Sequence, residues 1–356
     1  MQQILEGFQS QVCAAAAEKR ALRIRGGGTK DWYGQRLEGE TLDTRAYAGI
    51  VDYEPTELVI TARCGTPLGE IEAALAERKQ MLAFEPPHFG DGATLGGAIA
   101  AGLSGPRRAN SGALRDFVLG AKLLDGKGEV LTFGGQVMKN VAGYDVSRLL
   151  AGSMGTLGLL LEVSVKVLPV AYREATLRFA MSEVDAIRKL NEWGGQPLPI
   201  SGSCWLDGVL ALRLSGAQAA VDAAVRTLGT AHGGEPMPDC AAFWASLREQ
   251  RHAFFEGDAP LWRLSVPSTA AAIGIEGPQL IEWGGAQRWL RADGDAATAQ
   301  RIRAAVTACG GHATLFRGGD KSVGVFQPLA PAVVKIHERL KAGFDPSNIF
   351  NPGRMY

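Results

Sequence analysis

The chain has 356 residues, 46% of them hydrophobic and 21% charged, with 37 Lys plus Arg balanced by 37 Asp plus Glu. That length suits two domains, and the zero formal charge provides no overall field for nucleic acid or an anionic membrane surface. The five cysteines, Cys13, Cys64, Cys204, Cys240 and Cys309, contain no C-x-x-C pair, which argues against an iron–sulfur cluster or zinc site in this chain and for free thiols in a reducing compartment.

Residues 2–19 read as an Ala-rich helix. The start Met1-Gln2-Gln3 lacks the basic residues of a secretory signal, and no apolar run approaches a membrane span, so the chain reads as cytoplasmic with any membrane association left to a partner. Residues 22–25 form a short strand feeding Arg25-Gly26-Gly27-Gly28-Thr29. Residues 58–62 are a second strand, and Thr66 reads as an N-cap with Pro67 at the first position of a helix over 68–78. Thr94-Leu95-Gly96-Gly97 opens a further helix. Residues 121–124 and 129–133 flank Asp125-Gly126-Lys127-Gly128, a hairpin signal. Two more glycine clusters follow, Ala142-Gly143-Tyr144-Asp145 and Gly152-Ser153-Met154-Gly155-Thr156-Leu157-Gly158. Residues 159–168 alternate, with Leu161, Val163, Val165 and Val167 on one face and Glu162, Ser164 and Lys166 on the other.

After Pro169 glycine loops thin out. Helices are expected over 182–193, 217–228, 241–255 and 295–309, and strands over 174–180, 204–214, 261–266, 287–291 and 313–316, the second broken by a turn at Leu206-Asp207-Gly208-Val209. This is an α+β pattern with a domain boundary near residue 170. The turn-rich end carries Ile349 and Phe350 and is expected to pack back on a domain.

The 46 glycines are the compositional outlier. Glycine permits positive φ and close approach of a ligand to the main chain, and successive exposed N–H groups make an anion-binding nest. Four clusters within 160 residues imply a long phosphorylated ligand lying across several loops; the competing reading is a set of tight turns in a compact domain. The dinucleotide fingerprint fails, because position 31 is Asp where a third glycine is required. Asp125-Gly126-Lys127 lacks the Ser or Thr of a P-loop. His88, His232, His252, His312 and His337 show no metal-ligand spacing; His252 reads as an ordinary helix residue, and His312 as a strand residue more readily than a site residue. No basic–aromatic interleaving supports nucleic acid.

The N-terminal 170 residues resemble the FAD-binding domain of the vanillyl-alcohol oxidase / p-cresol methylhydroxylase flavoproteins. Arg23 to Thr29 is similar to that family's pyrophosphate loop, Ala93 to Ala100 to its second flavin-contacting segment, and Gly112 to Gly120 to the strand entry that follows. Lys139 to Asp145 with Leu150 to Gly158 is similar to its most specific stretch, and Phe344-Asp345-Pro346 with Asn351-Pro352-Gly353 to its returning tail. The resemblance implies an FAD-binding domain over 1–169 with returning tail 343–356, and a short α+β cap domain over 170–342. The implied cofactor contacts are Arg25, Gly26, Gly27, Gly28, Thr29, Thr94, Gly96, Gly97, Gly143, Tyr144, Gly152, Ser153, Gly155, Thr156, Gly158 and Asn351. Relatives often attach flavin to a His or Cys near the first loop; here the loop continues Lys30-Asp31-Trp32, which implies non-covalent FAD.

Within the family the whole chain is similar to the small FAD-binding subunits of bacterial glycolate-oxidising complexes. These act on a small 2-hydroxy acid, glycolate to glyoxylate, beside a larger FAD-binding subunit and an iron–sulfur subunit. That implies a flavin that accepts or relays electrons toward the iron–sulfur partner. A self-contained 2-hydroxy-acid dehydrogenase and a scaffold subunit with vestigial flavin are the rival readings. Larger hydroxy-acid-oxidising relatives carry a His- and acid-rich stretch in a long C-terminal domain, which is missing here, and no catalytic base is assigned. Arg317 and Lys321 read as a solvated turn rather than a carboxylate clamp. An Asp at position 27 is expected to push a carboxylate into the phosphate nest.

Overall fold

A computed structural model describes residues 1–135 and 144–355 of the chain. It divides into two compact units: residues 1–103, 113–169 and 328–356 form the first, and residues 104–112 with 170–327 the second. The segment 104–112 therefore leaves the first unit between two of its helices, and the chain returns to it from residue 328.

The first unit is built on a five-stranded antiparallel sheet in the order Ile50–Glu54, Val59–Arg63, Leu159–Lys166, Val118–Leu124, Val130–Gly134. The helices Leu68–Glu77 and Leu95–Ala101 bury Leu68, Ile71, Leu75 and Ile99 against it. The helix Gln2–Glu18 packs Phe8, Val12 and Ala15 with Leu22, Leu42, Ile349 and Phe350 in a second cluster. The tail thus enters the core: Phe350 is paired with Leu22 of the strand Leu22–Arg25, which itself lies parallel to Glu40–Asp43.

Two local expectations are corrected. Thr66 is not the N-cap of the helix Leu68–Glu77; Pro67 holds that place, and the Thr66 hydroxyl instead accepts the Gly49 amide at 2.8 Å. The alternation over 159–168 is interrupted, because the ladder between Val118–Leu124 and Leu159–Lys166 shifts register between Lys122 and Leu123. A bulge turns the strand by one residue. Leu159 and Leu161 therefore join the Phe350 cluster, while Leu160, Val163 and Val165 join the main core. Glu162 and Ser164 are buried as well, compensated by Lys122 at 2.8 Å and the Thr61 hydroxyl at 2.8 Å.

The second unit is an eight-stranded antiparallel sheet running Glu235–Pro236, Arg173–Ala180, Val209–Gly216, Ile200–Leu206, Gln279–Glu282, Gln287–Arg291, Leu261–Ser265, His312–Arg317. The helices Glu183–Gly194 and Gln218–His232 cover one end of it and Ala296–Ala308 the other. Asp207 and Gly208 both take positive φ, as a two-residue hairpin turn requires. The long helix expected over 241–255 stops at Arg248, because Gln250 is left-handed; His252 then caps a short 3-10 turn, its Nδ1 accepting the Phe254 amide at 3.2 Å. The strand Gln279–Glu282 and the helix Pro331–Phe344 were not legible in the sequence. The helix places its side chains against the usual pattern: its most buried residue is Lys341, and Val333 and Ile336 face solvent.

Candidate functional site

A pocket in the first unit forms where the strand Leu22–Arg25 ends. It is lined by Gly26 to Thr29, by one face of the helix Leu95–Ala101 from its cap Thr94 through Gly97 to Ala100 and Ala101, and by Met154, Asn351 and Arg354. Among the described residues, the amides of Gly26, Gly27, Gly28 and Thr29 donate to no protein acceptor. Four consecutive open donors are the nest geometry that favours an anion. The helix contributes further, since Thr94 is its N-cap and accepts the Gly97 amide at 3.2 Å. The Thr94 hydroxyl hydrogen stays available to a ligand, while the first-turn amides of Leu95, Gly96 and Gly97 are already spent on the Thr66 and Cys64 carbonyls and the Thr94 hydroxyl.

Close packing explains the glycines. A Cβ on Gly27 would lie 1.5 Å from the Gly92 carbonyl oxygen, and one on Gly26 would lie 2.4 Å from the Thr94 hydroxyl. The Gly27 side-chain direction therefore points into the neighbouring backbone and not into the pocket. The reason a substitution fails there is loop separation, which corrects the expectation of a carboxylate in the nest. Gly28 takes φ +73° and lies under the Arg25 guanidinium. Arg25 in turn pairs with Asp31 at 2.7 Å, and Asp31 also pairs with Arg23.

Of the other expected contacts, Gly96 faces away, its Cβ position 2.7 Å from Cys64 Cβ, so it sets helix–strand packing. Gly152 lies against Gly102, and the amides of Gly152 and Met154 donate to Ile99 and Ala100, docking that loop on the end of the helix. Gly155 sits beside the Asn351 amide and Gly158 against the Leu124 carbonyl. Ser153 and Thr156 are buried, Thr156 donating to the Ser153 carbonyl at 2.7 Å. None of these five lines the pocket; Met154, between them, does. Tyr144 is 95% exposed, and Gly143 lies outside the described residues. Asn351 accepts the Ile24 amide at 3.0 Å and donates to the Met154 carbonyl at 2.8 Å, joining two loops. Arg354 was missed by sequence reasoning, and no local pattern marks it. In the second unit, Arg317 donates to Gln250 at 2.7 Å, and burial followed by the nearby Arg291 lowers its pKa.

Residues 6–134 match the FAD binding domain family. Over 351 residues, 99% of this chain and 97% of the relative, the sequence is 49% identical to glycolate oxidase subunit GlcE of Escherichia coli. The chain belongs to the GlcE family of glycolate oxidase subunits. The GlcE-family chain is also 39% identical over 93 residues to glycolate oxidase subunit GlcD of Bacillus subtilis, covering 26% of this chain and 20% of that one. Among solved structures, p-cresol methylhydroxylase aligns over 98% of this chain and 87% of its own with a TM-score of 0.71 at 14% identity. The fold is therefore of the vanillyl-alcohol oxidase / p-cresol methylhydroxylase type, and the cofactor is FAD. The residues present fit it: the FAD pyrophosphate is a dianion, and the pocket offers four unpaired amides, two threonine hydroxyls and the cations Lys30 and Arg354. No helix among the described residues is long and apolar enough to cross a membrane.

Proposed function

We propose that this chain is the FAD-carrying small subunit of a complex that oxidises glycolate to glyoxylate and passes the electrons to an iron–sulfur partner, beside a larger FAD-binding subunit. The observation that carries this reading is the run of open amides at Gly26 to Thr29, in a chain that matches a glycolate oxidase subunit along its whole length. When bound, FAD supplies the electron-transfer chemistry, which belongs to the cofactor. The chain's own part is to bind and orient it. Gly26, Gly27, Gly28 and Thr29 hold the pyrophosphate through their amides. The Thr94 hydroxyl donates beside it, and Asn351 keeps the strand and the Met154 loop at a fixed separation. In this reading attachment is non-covalent, on the ground that the first loop continues Thr29-Lys30-Asp31-Trp32 with neither His nor Cys. The second unit, residues 104–112 and 170–327, serves as the cap domain in place of the 170–342 expected from the sequence. The reaction itself takes place only in the complex, and in this reading the chain is cytoplasmic, with any membrane association carried by a partner.

The test is the visible spectrum of the purified chain, recorded anaerobically before and after glycolate is added. The expected result is yellow protein that stays yellow alone and bleaches once the larger subunit is present. Bleaching of the isolated chain would instead make it a self-contained hydroxy-acid dehydrogenase. Colourless protein that takes up no FAD would end the flavin reading altogether.

A further inference from the structure

The C-terminal tail is wired to the cofactor loop through a chain of buried polar contacts. Lys341, on the helix Pro331–Phe344, is buried and donates to the carbonyls of Thr156 and Phe350, each at 2.7 Å, and to the Asp345 carboxylate at 2.5 Å. Asp345, 1% exposed, accepts the amides of Ile349 and Phe350 at 3.1 Å and 2.8 Å. This clamp seats Phe350 beside Leu22 and aims the next residues at the pocket. Arg354 lies there, 4% exposed, and donates to the Lys30 carbonyl at 3.3 Å, the Asp31 carbonyl at 3.0 Å and the Gln35 carbonyl.

Those contacts fall on the descending limb of the loop whose ascending limb is the nest. Every carbonyl from Gly28 to Asp31 is engaged by a protein donor. The Gly28 carbonyl takes the Asp31 amide at 3.1 Å, Thr29 takes the Trp32 indole N–H at 3.0 Å, Lys30 takes the Tyr33 amide and Arg354, and Asp31 takes Arg354. A trans peptide points its carbonyl and the following N–H in opposite directions. Holding the Gly28 carbonyl on the Asp31 amide therefore directs the Thr29 N–H the other way, and the Arg354 contacts fix the peptides on either side of Asp31 that make this possible.

We propose that Arg354 is a positioning residue that holds the loop 26–31 in its open-amide form, so that docking of the C-terminal tail and binding of FAD are coupled. The inference rests on FAD occupying the Gly26 to Thr29 nest. Arg354 acts on the loop through carbonyls, spending three of the five N–H donors of its guanidinium on Lys30, Asp31 and Gln35. Burial lowers its pKa to about 10, which leaves it cationic at neutral pH beside an anion site. Coupling of this kind is reciprocal: if the tail favours the FAD-binding loop, FAD must favour the docked tail.

The experiment strips FAD from the full chain and titrates it back into wild type, Arg354→Met and Arg354→Lys, with hydrogen exchange of residues 345–355 followed in wild type with and without FAD. Arg354→Met is expected to weaken FAD on the order of tenfold to a hundredfold, the loss of charge-assisted bonds, with unchanged far-ultraviolet circular dichroism. Arg354→Lys is expected to recover part of that loss, and FAD to slow exchange of the wild-type tail several-fold. Wild type that binds FAD while Arg354→Met binds within twofold of it overturns the coupling and leaves the flavin reading standing. Tail exchange that ignores bound FAD overturns it too, even if the variant does not fold. Wild type that binds no FAD overturns both.

Discussion

Gly27→Ala tests the site at its tightest point. The added Cβ would lie 1.5 Å from the Gly92 oxygen and 2.3 Å from its carbonyl carbon, where ordinary contact begins near 3.4 Å. Alanine has no torsion that moves its Cβ, and both neighbours are backbone, so the two loops must part by ~2 Å. A shift of that size takes an N–H···O contact beyond hydrogen-bond range. If two of the four nest amides lose a charged acceptor at roughly 1.5–3 kcal/mol each, FAD binding weakens by roughly 3–6 kcal/mol, or about a hundredfold to ten-thousandfold in Kd. The assay is quenching of FAD fluorescence by apo-protein, alongside thermal unfolding to separate lost affinity from lost fold. Overpacking alone costs about 1–3 kcal/mol of stability, so the folded variant should persist. Gly7→Ala, on the helix Gln2–Glu18 with open space around it, is the control and should stabilise by about 0.5–1 kcal/mol without touching affinity. A Gly27→Ala chain with a Kd within threefold of wild type would refute the packing argument and remove this loop from the site.

Lys341→Met strands the buried Asp345 carboxylate and two carbonyl acceptors, those of Thr156 and Phe350; it should cost about 3–5 kcal/mol in urea unfolding, and a loss below 1 kcal/mol would show that the clamp is not structural. His312, at the exposed end of the strand His312–Arg317, has its pKa pushed below 6.5 by partial loss of water and then by Arg263. The folded chain therefore binds that proton less readily than the unfolded one, and stability falls as pH drops from about 6.5 through the folded value. An NMR titration of His312 with a midpoint at or above 6.5 would contradict this. Burial raises the thiol pKa of Cys64 and Cys204, while Cys13 is exposed. A maleimide should label Cys13 in the native chain and spare the other two until denaturant is added; native labelling of Cys64 would place it outside the core described here.

Much of the secondary structure was legible because it is local. The strand Leu22–Arg25, the helix starts at Thr94, Ser182 and Asp295, and the turns at Asp125 and Asp207 each follow from short-range caps, periodicity or positive-φ residues. Errors arose where a distant contact overrode the pattern. The hydroxyl of Thr66 went to Gly49 across the sheet, and a bulge against the strand Val118–Leu124 reversed the faces of Leu159 and Leu161. The helix Pro331–Phe344 escaped notice because its most buried residue is the polar Lys341, two of whose acceptors are supplied by residues 185 and nine positions away, while Val333 and Ile336 face solvent.

By itself the sequence marked Gly26 to Thr29 as a candidate anion nest, since the freedom in φ and the bare backbone of three successive glycines are local properties. It also carried the family resemblance, and with it FAD. It could not sort glycines that open onto a ligand from glycines that let backbones touch. Gly28 and Gly158 both take positive φ, yet one lines the pocket and the other packs on the Leu124 carbonyl. Only the tertiary structure brought Asn351 and Arg354 to a loop more than 300 residues earlier in the chain. Their roles depend on which carbonyls and amides a folded backbone leaves within reach, and no local pattern encodes that.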